Sequence, residues 1–338
     1  MRLESDKYKY WTQNEEKTLE EMVITNKYSF KQIGNILNRT AQSCGDHSRI
    51  LGFNNKYIRR LYFYDNEFWS IPNPINSYWA GMSSADSNVH NHKNRFTYRM
   101  EIKKSDQKHI EELKKNIKYT GPIGKSARII KFKNKEIHIE SVKICINGCK
   151  KWLTELSNIW NITPNKTKRL SGPNLSNNYL KFCWLMGYID GDGYISFNRK
   201  FSTLVIGFTS SSLKILEYTK LLIDDNFSNC YLIKKNKNIN KLKNANAYVY
   251  SVNGLKACVI FDYLHQFPIY RLSRKWEQPH VLEYVNQQKQ KYPHFFKTLT
   301  IPEKWKNFDL DKFNAQNSLE NSENNSKISL VPESSMLK

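Results

Sequence analysis

The chain has 338 residues, with 53 Lys and Arg against 31 Asp and Glu, a formal charge of +22. That length allows a core of ordinary size without a disulfide framework, and the charge is the footprint of a polyanion binder, nucleic acid first. Six cysteines (Cys44, Cys145, Cys149, Cys183, Cys230 and Cys258) form no C-x-x-C pair, and no long apolar span occurs, which sets aside a zinc-finger module and a membrane-spanning helix and leaves the thiols reduced.

Residues 8 to 53 show helical spacing in three short pieces. Trp11, Leu19, Met22 and Val23 make one apolar face, opened by a Thr12-x-x-Glu15 capping box. A second helix starts at Ser29 and packs Phe30, Ile33 and Leu37, and a third follows Thr40. Three small helices with an Arg39-Thr40 turn before the last resemble a Myb/SANT-like helix-turn-helix. The resemblance implies that the helix of residues 41 to 51, carrying Gln42 and Arg49, lies in a DNA major groove. This small domain is expected over residues 1 to 60, with a linker over 61 to 77.

From Tyr78 onward the sequence repeats itself. A shift of 106 residues lays "WAGMSSADS" (79 to 87) on "LMGYIDGDG" (185 to 193), so that Gly81 meets Gly187 and Asp86 meets Asp192. The same gapless shift places Met100 and Ile102 on Ile206 and Phe208, Ser105 on Ser211, Ile117 on Ile223, and Asn147-Gly148 on Asn253-Gly254. A match sustained to about residue 153 marks a duplicated unit, giving repeats over 78 to 175 and 176 to 292.

Each copy reads as helix, strands, helix, strands, helix, which makes the fold class α+β. In the first, an apolar helix ends at Asp86, "NVHNHKN" (88 to 94) reads as a loop, and Phe96, Tyr98, Met100 and Ile102 alternate with Arg95, Thr97, Arg99 and Glu101 as a strand. Ser105 is placed to cap the next helix, and "EIHIESVKICIN" returns as a strand before a helix over 149 to 160. The second copy follows with "FSTLVIGFT", a helix near 212 to 224, "NAYVYSVN" and a helix from 255. One more helix lies beyond Trp276, and residues 293 to 338 have the polar composition of a disordered tail.

Helices from equivalent repeats are expected to pack along a pseudo-twofold axis, with Ala80, Gly81 and Gly187 admitting close backbone approach. Asp86 and Asp192 then end side by side. Two adjacent carboxylates repel unless a proton or cation lies between them, and Mg²⁺, with Mn²⁺ as a substitute, suits an oxygen site of one or two carboxylates plus substrate phosphate. Set under a basic surface, such a site suits phosphodiester hydrolysis.

"LMGYIDGDG" closely resembles the signature of the LAGLIDADG homing endonucleases, and "WAGMSSADS" is a weaker copy, departing from it at Ser84 and Ser87. The resemblance covers roughly residues 75 to 290. It implies a pseudo-symmetric pair of αββαββα units whose two sheets straddle a long double-stranded DNA site, acting as a monomeric, site-specific endonuclease that promotes intron homing. The alternative it carries is a maturase, binding its host intron RNA with little or no cleavage. It further implies metal binding by Asp86 and Asp192, joined by the backbone carbonyls of Ala85 and Gly191. A basic residue is expected near each metal, the candidates being Lys166, Lys168 and Arg169, and Arg271, Arg274 and Lys275. The shift pairs Lys168 with Arg274 and Arg169 with Lys275 without choosing between the pairs; Lys168 with Arg274 stands as the catalytic candidate and Lys275 as a DNA contact. Outward strand positions are the candidates for reading DNA: Arg95, Thr97 and Arg99 in one copy, and Ser196, Asn198, Arg199 and Thr203 in the other. The start "MRLESDKYKYW" lacks the Arg- and Ser-rich, acid-poor character of an imported transit peptide, and with this family and a Lys- and Asn-rich composition the expectation is a mitochondrial, organelle-encoded protein.

Overall fold

The computed structural model describes residues 10–25, 28–53, 62–93, 95–132, 135–198, 202–228, 239–242, 245–296, 302–306, 308–309 and 312. The chain divides into two compact units, one of residues 1–65 with 118–121, the other of the remainder. Arg199 and everything beyond residue 312 lie outside the described residues.

The first unit is built from α1 (Gln13–Ile24), α2 (Phe30–Leu37) and α3 (Ala41–Ile50). Each helix start is sealed by a side chain accepting from the first-turn N–H groups that the helix leaves unpaired: Thr12, Ser29 and Thr40. Leu19, Val23, Ile33 and Cys44 are the centre of its core, with Trp11, Phe30 and Leu37 around them. The Arg39 guanidinium lies 4.1 Å from the Trp11 ring centre and the His47 ring stacks on Trp11 at 4.2 Å. Arg39 also donates to Glu15 at 2.9 and 3.0 Å, which holds the Glu15 carboxyl down at about 2.

The second unit carries the duplication. Its first half runs α4 (Pro74–Asp86), β1 (Ser87–His92), β2 (Arg95–Lys103), α5 (Gln107–Asn116), β3 (Gly124–Phe132), β4 (Lys135–Asn147) and α6 (Lys150–Asn158). Its second runs α7 (Asn178–Gly191), β5 (Gly193–Asn198), β6 (Thr203–Ser210), α8 (Leu213–Asn226), β7 (Asn240–Lys241), β8 (Tyr248–Asn253) and α9 (Leu255–His265), followed by the short α10 (Ser273–Trp276) and α11 (Pro279–Lys291). Both sheets are antiparallel, in the orders β1-β2-β4-β3 and β5-β6-β8-β7. This is a duplicated αββαββα fold.

Register fixes which face of each sheet is covered. In the first, Tyr98, Met100 and Ile102 stand opposite Ile146, Ile144 and Val142, all buried; in the second, Ile206 and Phe208 face Val252 and Tyr250. The opposite face carries Asn88, Thr97, Arg99, Glu101 and Ser141 in one sheet, and Tyr194, Ser196, Asn198 and Thr203 in the other.

Three local expectations are corrected. Residues 88 to 92 are strand β1, not loop; only its first half has a buried alternation, so the period-2 signal fades toward His92. Ser105 does not cap α5, which is entered through a 3₁₀ turn over Lys104–Asp106 with no side-chain cap. The gapless shift also fails on one strand pair. Ser87 pairs with Met100, whereas Gly193 pairs with Phe208, so Met100 corresponds to Phe208, two residues further than the shift says. A slip of two preserves side-chain parity, so the covered face stays covered.

The core of this unit is the α4–α7 pair, buried on nearly every side. A Cβ on Gly81 would fall 1.9 Å from the Trp184 carbonyl oxygen, and one on Gly187 1.8 Å from that of Tyr78. The helices therefore touch backbone to backbone at two symmetry-related points, which only glycine permits. Among the described residues no helix is long and apolar enough to cross a membrane.

Candidate active site at the paired helix ends

Because α4 and α7 touch through matched glycines, they run out together, α4 at Asp86 and α7 one residue before Asp192. A Cβ on Gly191 would lie 2.2 Å from the Ala85 Cβ and 3.4 Å from Asp86 Oδ2, so the two motif ends are in contact. Burial, then the Asp192 charge, pushes the Asp86 carboxyl up to about 6, against the pull of Lys275, Lys166 and Arg274. Burial raises Asp192 also, against Lys166 and Lys275; Asp192 is the more open of the two. Two oxygen groups that resist joint ionisation are the setting in which a hard divalent cation binds.

Two lysines hold the carbonyls at these helix ends. Lys166 Nζ donates to Ser84 O (2.5 Å) and Ala85 O (3.0 Å). Lys275 Nζ donates to the carbonyls of Ile189 (2.6 Å), Asp190 (2.7 Å), Gly191 (3.3 Å) and Gly193 (2.7 Å). An ammonium at a helix C-terminus meets the negative end of its dipole. Burial lowers both lysines to about 8, with Asp192 and Asp86 opposing at Lys166 and Asp190 foremost in opposing at Lys275.

Asp190 is the best-tied group near the site. Fully buried, it accepts from Tyr78 Oη (2.6 Å), the Leu272 N–H (2.9 Å) and Trp276 Nε1 (2.7 Å). Tyr78 Oη also meets His109 Nε2 at 2.7 Å. Since the phenol proton goes to Asp190, the imidazole is the donor there; burial drops His109 to about 4, so it is neutral. In the other half Ser84 takes the place of Asp190 and receives the Trp184 indole at 3.4 Å.

Beside the helix ends a cleft of about 790 Å³ opens over the uncovered face of the first sheet, lined among others by Asp86, Asn88, Arg99, Glu101, Arg128 and Lys275. Residues 180–259 match the family of the LAGLIDADG-like domain. Solved structures similar to it include the homing endonuclease I-WcaI bound to its DNA recognition sequence, at 16% identity over 66% of this chain and 93% of that one, TM-score 0.45. Another is the LAGLIDADG homing endonuclease I-LtrWI bound to target DNA, at 14% identity over 69% and 97%, TM-score 0.33. A third is I-DmoI in complex with DNA and Mn, at 12% identity over 57% of this chain and 94% of that one, TM-score 0.32. No curated protein matches the sequence.

The paired helix ends bring Asp86, Ala85 and Gly191 together, with Asp192 next to Gly191. The basic pair differs from the one expected. Lys168 is exposed, and Arg274, though it lines the cleft, is clamped on Asp106 at 2.8 to 3.1 Å. The positions against the helix ends belong to Lys166 and Lys275, 109 residues apart, because the segments after α6 and α9 differ in length. Lys275, expected on DNA, is buried among backbone carbonyls. Of the strand candidates, Arg95, Thr97 and Arg99 share the open face of the first sheet, and Ser196, Asn198 and Thr203 that of the second; Thr97 is tied to Asn147 at 3.0 Å. In the first unit Gln42 donates to Asp46 at 2.8 Å and Arg49 pairs with the same carboxylate at 3.1 Å. Sequence reasoning missed the Asp190 network and Lys166 as the partner of Lys275. The departure at Ser87, where the chain leaves the helix, is accommodated as extended backbone, its hydroxyl donating to Ser83 O at 2.6 Å.

Proposed function

We propose that the chain is a divalent-metal-dependent endonuclease that cuts double-stranded DNA at a specific site and promotes mobility of an intron. The observation that carries this reading is the meeting of Asp86 and Asp192 at two helix ends, one backed by the half-buried Lys166 and the other by the buried Lys275. Among the described residues there is no cluster of three or more His, Cys, Asp or Glu side chains that could hold a metal ion; the groups that would hold a cation here are these two carboxylates with the Ala85 and Gly191 carbonyls and water. Oxygen-only donors with retained waters fit Mg²⁺, with Mn²⁺ able to replace it. The chemistry a cation would supply there is polarisation of the scissile phosphate and a lowered pKa of coordinated water. Asp86 and Asp192 orient it, while Lys166 and Lys275 keep positive charge beside the phosphate in a partly dry setting, where it counts for more than in water. The open sheet faces supply the grip on DNA, and the charge of +22 supplies the salt-dependent part of the affinity.

The test is cleavage of a randomised duplex library in Mg²⁺, with the new ends sequenced. The wild-type protein is expected to yield ends at one sequence. Asp192→Asn should yield none while still retaining that sequence on a filter. Lys166→Met should slow cutting by about 100-fold, on the scale of losing one preorganised donor, and Lys168→Met should leave the rate unchanged. Cleavage by Asp192→Asn at the wild-type rate would sink the assignment.

A further inference from the structure

On the open face of the first sheet, Glu101 is fastened from three sides. Ser126 and Ser141, paired across β3 and β4, bring their hydroxyl oxygens within 2.7 Å of each other and both within reach of Glu101 Oε1, Ser126 at 2.9 Å, so their two protons serve this three-oxygen cluster with at least one given to the carboxylate. Oε2 receives the Arg99 guanidinium. Arg99 and Glu101 both line the cleft, with side chains 43% and 26% exposed, so the guanidinium is held yet still open. The group is anionic throughout the range in which nucleic acid is bound: burial raises Glu101, but donation from Ser141, Arg99 and Ser126 brings it to about 2.

The fold does not require this arrangement. Matched through the pairings Ser87 with Met100 and Gly193 with Phe208, the corresponding residues of the second sheet are Gly207 and Thr209, and the Tyr194 ring lies over Gly207. A carboxylate facing phosphates is also unfavourable for affinity, so a fixed one calls for another use. Arginine has five donors in a planar fork; with one donor engaged by Glu101, the remaining edge is pointed and stripped of rotamer freedom, as a bidentate contact to guanine O6 and N7 needs.

We propose that Ser126, Ser141 and Glu101 form a buttress that fixes Arg99 as the guanine-reading residue of the half-site under the first sheet. This rests on the DNA reading above. Glu101 and the serines are positioning residues; Arg99 makes the contact.

The experiment is selection of a randomised duplex library by the full-length protein in EDTA, so that no cutting is involved, comparing wild type, Arg99→Lys, Glu101→Gln and the Ser126→Ala/Ser141→Ala double variant. Wild type should enrich a sequence with guanine at one position, and Arg99→Lys should erase the preference there alone. Glu101→Gln should reduce that guanine preference about tenfold, with the rest of the sequence unchanged and low-salt retention equal or stronger, since one negative charge is gone. The serine double variant should lower the same position by a smaller factor. Guanine preference kept at full strength in both Glu101→Gln and the serine variant would overturn the buttress, as would a cytosine or adenine preference that Glu101→Gln removes, which would make Glu101 itself the reader. Enrichment of no sequence by wild type would instead defeat the DNA reading, and the buttress with it.

Discussion

At the scale of single residues, the carboxyl of Asp86 carries the clearest physical signature. Its folded value of about 6 stands above the 3.8 of an ordinary aspartate, so the folded state holds a proton that the unfolded chain gives up. Without metal, stability is therefore lost as pH rises from about 4 to 6 and stays lower above that window. Asp192 is raised also and moves the balance in the same direction. In EDTA, Asp86→Asn should melt with wild type at pH 4 and be more stable at pH 7. The gain should be about 1–2 kcal/mol, below the ~3 kcal/mol that a rise of about two pKa units gives at full burial, because the group is only half-buried. Adding a divalent cation at pH 7 should raise the wild-type midpoint and leave that of the variant where it was. A variant less stable than wild type at pH 7 in EDTA would mean that the carboxylate is satisfied by its lysines and has no use for a cation.

At the scale of elements, the α4–α7 contact decides where those carboxylates meet. A methyl on Gly187 would sit 1.8 Å from the Tyr78 carbonyl oxygen and 2.8 Å from the Met82 nitrogen, and one on Gly81 equally close to Trp184. Backbone cannot yield as a side-chain tip can, so Gly187→Ala should cost about 3 kcal/mol or more, read from urea midpoints. Gly81→Ala should match it, and a small effect from either would mean that the helices separate easily. This contact was legible in the sequence because glycines and acids recur at one offset in helices whose lengths agree. The lysines were not: the offset of 106 holds only where paired elements have equal connections, and Lys166 and Lys275 follow helices whose outgoing segments differ, so the sequence aligned Lys168 with Arg274. The β5–β6 hairpin hid a further slip of two, invisible because it leaves buried positions buried. Asp190 and Glu101 were out of reach for another reason. Their partners, Tyr78 and Trp276 for one and Ser126 and Ser141 for the other, are distant in sequence and brought near only by packing or strand register.

At the scale of the whole chain, the division into two units separates what the site needs from what it does not. The three-helix unit has its own core of Leu19, Val23, Ile33 and Cys44, while both acids, both lysines and both sheets belong to the other unit. Residues 1–61 contain 11 basic and seven acidic side chains, so they contribute only +4 of the +22. The bulk of the phosphate attraction therefore stays with the duplicated unit. On α3, Gln42 and Arg49 share the Asp46 carboxylate, which leaves that helix a weak source of net positive charge. A protein beginning at residue 62 should accordingly fold, cut the randomised library at the sequence chosen by the full chain, and lose affinity with rising salt along nearly the same slope. Measuring retention across a salt series for both proteins gives the comparison. If the shortened protein binds as tightly at low salt but no longer selects a sequence, site choice belongs to the three-helix unit, and the paired sheets supply only the cut.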